Sequence, residues 1–162
     1  MYLSALEFLD EEREAWRPYE ALLTLTDEQL AAPVEAAHGW SGRDLLGHIV
    51  AWQAHALDVA RELAVGEASP SRDAMSKDWD ARADAVNDDL LKAWAALDSS
   101  ELRRRAESIP GELRGTLTVV PESRFIKHAD QETFFVEETI VHYEDHLDDL
   151  RAILEAAFRR AG

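Results

Sequence analysis

The sequence predicts an all-α protein, an up-and-down four-helix bundle with a long connection before the last helix. Three observations carry this. Apolar residues recur at helical spacing over four long stretches, cap residues stand at several of their boundaries, and the run TLTVV at 116–120 is the one marked β-branched stretch. With 162 residues, 46% of them apolar, the chain has the size for a single domain spanning 1–162 with a sizeable core.

The first helix is read from Leu3, Leu6, Phe8, Leu9, Trp16, Tyr19, Leu22 and Leu23, with Pro18 as a kink or break. Thr26 with Gln29 three residues on forms a capping-box pattern and starts a short helix. Ser41 with Asp44 caps the second long helix, which runs to about Val65 before Gly66. The stretch GEASPSR is a connection, and a third helix follows over about 73 to 97 through Trp79, Val86, Leu90, Trp94 and Leu97. Ser99 or Ser100 caps one more short helix through ELRRRAES. Residues 109 to 130, with Pro110, Gly111, Gly115 and Pro121, are the least helical part and form the long connection, suited to covering one end of a central site. The final helix occupies about 133 to 160.

Composition removes several functions. There is no Cys, so a disulfide framework, a cysteine zinc site and a cysteine nucleophile are all absent. The formal charge of −16 disfavours nucleic acid and anionic membrane surfaces. Arg103 to Arg105, and Arg159 with Arg160, are short basic runs among acids and read as solvated helix ends. No run of 18 apolar residues occurs, and the acidic N-terminal stretch lacks the pattern of a secretory signal, which makes the cytoplasm the expected location. A small molecule or a protein remains as partner. Homodimerisation is expected, because bundles of this size often bury a leftover apolar face against a copy.

His142 and His146, one turn apart in VEETIVHYEDHLDDL, share a face of the last helix, where a metal ion can bridge them. On a wheel of about 100° per residue they lie between an apolar arc (Ile140, Tyr143, Leu147, Leu150) and an acidic one (Glu138, Asp145, Asp149), the border expected of groove-lining ligands. His48, on the second helix with Leu45, Trp52 and Val59, is placed to supply a third nitrogen. His55 lies roughly 10 Å further along the axis and cannot easily share an ion with His48. His38 and His128 fall in loops and read as bland. A zinc-peptidase helix is rejected: HExxH needs Glu where Tyr143 stands, and HxxEH needs Glu where Asp145 stands. Glu138 is either a ligand or outer acceptor, or a solvated carboxylate. Trp52 and Tyr143 are either pocket lining or plain core.

Two segments, GWSGRDLLGHIVAW and VHYEDHLDDLRAIL, resemble the DinB-like superfamily of four-helix bundles. The likeness is to its DfsB/ClbS-type branch, which overlaps the N-terminal domains of mycothiol-dependent maleylpyruvate isomerases. By position, the resemblance implies that His48, His142 and His146 hold a divalent ion: zinc, nickel or iron(II). It implies an enzyme that adds a low-molecular-weight thiol cosubstrate to a small electrophile, or hydrolyses one. It also implies pairing of two copies. The rival expectation is a metal-free small-molecule binding or self-protection protein of the DfsB/ClbS type, and a third is a bundle devoted to protein association.

Overall fold

The computed structural model describes residues 2–160. Among them there is no strand. Helix α1 (Ala5–Trp16) is capped by Ser4, whose side chain accepts from the Glu7 N–H, and passes at Trp16 into a 3-10 turn, Arg17–Thr24, that contains Pro18. Both expected capping boxes are present: Thr26 with Gln29 starts α2 (Asp27–Ala31), and Ser41 with Asp44 starts α3 (Gly42–Val65), which ends at Gly66.

Helix α3 is the central element, with Leu45, Leu46, Ile49, Val50, Ala56, Val59, Ala60 and Leu63 fully buried. Its first residue must be small. A Cβ on Gly42 would stand 3.1 to 3.3 Å from side chains of Leu30, Ile153 and Leu22.

The middle of the chain departs from expectation. The predicted helix over 73–97 is two helices, α4 (Pro70–Ser76) and α5 (Trp79–Ala95), separated at Asp78, whose φ of 54° and ψ of 33° lie in the left-handed region. Short polar Asp tolerates that region better than most residues. Of these two helices only Trp94 is buried, so they lie outside the bundle against α3. The third bundle helix is α6 (Ser99–Leu117), capped by Asp98 rather than by Ser99 or Ser100. It continues straight through Pro110, Gly111 and Gly115. Leu102, Ala106, Pro110, Leu113 and Leu117 form a buried stripe, and the burial of such a set, about 1.5–3 kcal/mol for each large side chain, outweighs roughly 3 kcal/mol for an interior proline. The connection before the last helix is therefore 118–128, with a 3-10 turn at Glu122–Arg124, not the whole of 109–130.

The last helical run is not uniform. It comprises α7 (Ala129–Val136), a π-helical turn (Glu137–Val141), α8 (His142–Asp145) and, after a break at His146 (φ −103°, ψ 8°), α9 (Leu147–Arg160). The Thr139 hydroxyl donates to the Phe135 carbonyl at 2.5 Å, satisfying an acceptor at the π turn.

Two apolar clusters form the core. Trp16, Tyr19, Leu22, Leu45, Ile49 and Ile153 belong to one, and Phe8, Leu63, Phe125 and Phe135 to the other. Buried polar side chains of α1, α3 and α8 meet where the helices pass from one cluster to the next. The Tyr143 hydroxyl donates to Glu12 Oε1 at 2.9 Å and accepts from Gln53 Nε2 at 2.7 Å, while Arg114 of α6 pairs with Glu12 Oε2 at 2.9 Å. Arginines also tie the loops down. Arg103 donates to the carbonyls of Leu23 and Leu25 and pairs with Asp27, and Arg43 donates to Leu97 O at the α5 to α6 connection. The basic runs otherwise form pairs along their own helices: Arg104 and Arg105 both engage Glu101, and Arg159 lies 3.5 Å from Glu155. The side chain of Arg160 lies outside the described residues.

Candidate metal centre

The bundle brings three imidazoles to one point. His48, deep on α3, and His142, at the start of α8, approach with Nε2 atoms 2.8 Å apart. His146, at the break before α9, completes the set: one ring nitrogen from each of the three lies within 4.8 Å of the others. Ring centroids are separated by 4.8, 5.0 and 5.2 Å. His48 is buried and the other two are half-buried. The π turn Glu137–Val141 directly precedes the pair on the last helix. It alters the residue advance per turn just upstream of His142, as such turns often do at functional sites.

Burial sets the charge state. His48 is lowered to about 4, first by desolvation and then by the neighbouring His146, and His142 to about 3, by desolvation and then by His48 and His146. Both rings are therefore neutral near pH 7, and the 2.8 Å contact is a hydrogen bond in which one Nε2 carries the proton and the other accepts.

The surroundings fix the rings. His146 Nδ1 lies 2.9 Å from Asp149 Oδ2, which selects the tautomer with Nε2 free to bind a metal. The other oxygen of Asp149 faces the exposed His38 at 3.8 Å. Trp40 stacks on His146, centroids 5.6 Å apart and planes 19° from parallel, and meets His48 edge-on at 5.1 Å. A tight loop holds this indole: the Val34 N–H donates to the Trp40 carbonyl, and His38 and Gly39 take left-handed backbone with φ of 56° and 83°.

The remaining histidines stay apart from this cluster. His55 packs against Trp52 and Phe134, and His128 ends the loop before α7. Tyr143 is core, 1% exposed. Trp52 does both jobs, being buried yet lining the cleft in front of the imidazoles and donating from Nε1 to Asn87 Oδ1 at 3.1 Å. Glu138 lies in the same cleft and is raised to about 7, by desolvation and then by Glu137. Two contributors escaped sequence reasoning. Asp149 stands three residues after His146, a spacing that places it within reach on a helix. Trp40 stands in the very segment GWSGRDLLGH, but its contact is made by a loop with no periodicity to read.

A family model described as the mycothiol maleylpyruvate isomerase N-terminal domain matches residues 10–147. The chain belongs to that family. The match runs from within α1 to the first residue of α9, with His48, His142 and His146 all inside it. No curated protein and no solved structure matches the chain. As in the DinB-like superfamily to which this isomerase domain belongs, the fold is all-α. No helix among the described residues is long and apolar enough to cross a membrane.

Proposed function

We propose that the protein is a divalent-metal-dependent enzyme that transfers a low-molecular-weight thiol to a small electrophile, with hydrolysis of the same electrophile as a close variant. One observation carries the reading: three imidazoles converge from α3 and the last helix at the wall of an open cleft. Such a donor set fits zinc, nickel or iron(II), with geometry deciding among them. When bound, such an ion would supply a Lewis-acidic centre that favours the deprotonated form of a thiol or water.

The chain's own residues do the rest. His48, His142 and His146 would hold the ion through ring nitrogens, His48 and His142 being neutral because burial lowers them to about 4 and about 3. Asp149 and Trp40 hold His146 in place. Of the carboxylates that line the cleft, Glu137, Glu138 and Asp145, the half-buried Glu138 would serve as a fourth donor or as acceptor of the thiol proton. In the addition, the S–C bond forms at the electrophilic carbon, and the thiol proton ends on the atom that receives the displaced π electrons. Having no Cys, the chain relies on a cosubstrate for sulfur. A mycothiol-type thiol fits the name of the family. The reading takes residues 1–162 as one cytoplasmic domain acting on a small molecule, with two copies paired.

A second reading, metal-free binding or self-protection of the DfsB/ClbS type, has one observation in its favour. His48 and His142 satisfy each other directly at 2.8 Å. Elemental analysis of protein purified without a histidine tag separates the two. About one divalent ion per chain, lost in His142→Ala together with thiol transfer to an electrophile, is the result expected of the enzyme. Retention of stoichiometric metal in that variant refutes the ligand assignment.

A further inference from the structure

A second cleft of about 320 Å3 adjoins the one that holds the imidazoles. The two share Trp52, Trp79, Glu137 and Glu138 as walls, so they form one continuous depression. Its chemistry changes along its length. Imidazoles line one end and two indoles the middle, Trp52 and Trp79 meeting edge to face at 5.6 Å. The far end is built from Met75, Phe134 and Arg72.

Arg72 has an unusual situation in a chain with 33 acidic and 17 basic residues. Many arginines here are paired with a carboxylate or with backbone carbonyls. The half-buried guanidinium of Arg72 instead lies over the Phe134 ring, 5.6 Å from its centroid. Among the described residues no carboxylate approaches it within the 4.0 Å of an ion pair. Asp130, Glu137 and Glu138 line the same cleft, and the first two are exposed, where water screens them. Neither cleft is lined by a lysine or by another arginine. Indole and phenyl walls favour a flat apolar body, and a planar guanidinium with donors to spare favours a carboxylate, which it can hold through two parallel hydrogen bonds.

We infer that this depression is a substrate site for a flat, apolar molecule bearing one carboxylate at the end away from its reacting atom, with Arg72 reading the carboxylate and Trp52, Trp79 and Phe134 reading the flat body. This rests on the proposed enzymatic function for what happens at the imidazole end, but the binding itself does not require a metal or a thiol.

The test compares cinnamate with its neutral isostere cinnamamide by calorimetry, on the protein both as purified and after chelation. Cinnamate is expected to bind roughly tenfold more tightly than cinnamamide in both samples, the size of one charge-assisted contact. In Arg72→Gln the preference disappears while cinnamamide binds as before, which shows that the cleft is intact, and Arg72→Lys retains part of it. Equal binding of the two ligands to the unaltered protein overturns the inference. So does loss of both ligands alike in Arg72→Gln, or a cinnamate preference that survives that variant and vanishes on chelation, which would put the carboxylate on the ion. A chain that proves metal-free yet keeps the Arg72-dependent preference would sink the enzymatic reading and leave this site standing.

Discussion

At the scale of single residues, the site is defined by histidines that the fold keeps uncharged. His48 is held at about 4 and His142 at about 3, against an ordinary value of 6.5, chiefly because burial removes the water that would solvate an imidazolium. Depressed values of this kind link folding to protons. Below pH 6.5 the unfolded chain takes up protons on both residues while the folded one does not, so their contribution to stability rises with pH between about 4 and 6.5 and flattens above, against an opposite contribution from the raised carboxyls of Glu138 and Glu12. Denaturant unfolding of chelated protein reads the net slope. His142→Ala should make it less positive between pH 4 and 6.5, since one of the two linked histidines is gone. An unchanged slope in the variant would mean that His142 is solvated and charged in the folded state. The spacing of His142 and His146 is legible in the sequence, because one turn of helix is a simple rule, whereas His48 enters only through the expected packing of a second helix and the family resemblance. The charge state is not legible there, because it depends on what packs around the rings.

At the scale of elements, capping and periodicity made most boundaries legible: both capping boxes, the break after Trp16 and the stop at Gly66 stand where the residue types place them. Two elements were misread for physical reasons. Proline and glycine in 109–115 signal a loop locally, yet the apolar stripe from Leu102 to Leu117 buries enough surface to hold the helix through them. Conversely, the periodic run 73–97 breaks at Asp78, which no local rule for turns marks. The π turn Glu137–Val141 was equally invisible, since a uniform wheel assumes a fixed advance per residue. That turn supplies a direct test. Deleting Val141, the most exposed large apolar side chain within it, removes its extra residue and rotates everything downstream by about 100° relative to α7. Helical circular dichroism should persist, while stoichiometric metal and the contact of His142 with His48 should be lost. Full metal content in the deletion would show that the π turn does not orient the pair.

Across the whole molecule, the feature that joins the site to the core is the polar set between the two apolar clusters. Tyr143 follows His142 directly in the chain, and its hydroxyl is anchored by Glu12 and Gln53 while the hydroxyl of Tyr19 donates to its carbonyl. The helix that carries two of the three imidazoles is thereby fixed to α1 and α3. Glu12 is fully buried, and desolvation pushes its carboxyl up, opposed by the guanidinium of Arg114 and by the Tyr143 hydroxyl. Arg114 is therefore the group that makes an ionised Glu12 tolerable. Replacing it with Met leaves that carboxylate without its cation, and the loss should be about 3 kcal/mol, a fall in Tm of about 10 °C for a chain of this length. The pH dependence has a definite sign. Without Arg114 the folded-state value of Glu12 rises further above its unfolded value, so the variant should be penalised most at pH 8, where the buried carboxyl must either ionise or hold a proton against solution. It should recover towards pH 5.5, where protonation costs little. Adding Glu12→Gln to Arg114→Met should restore most of the stability and remove the pH dependence. A Tm deficit equal at both pH values would show that Arg114 acts through its aliphatic packing instead, and that the charge of Glu12 is not what ties the last helix to the bundle.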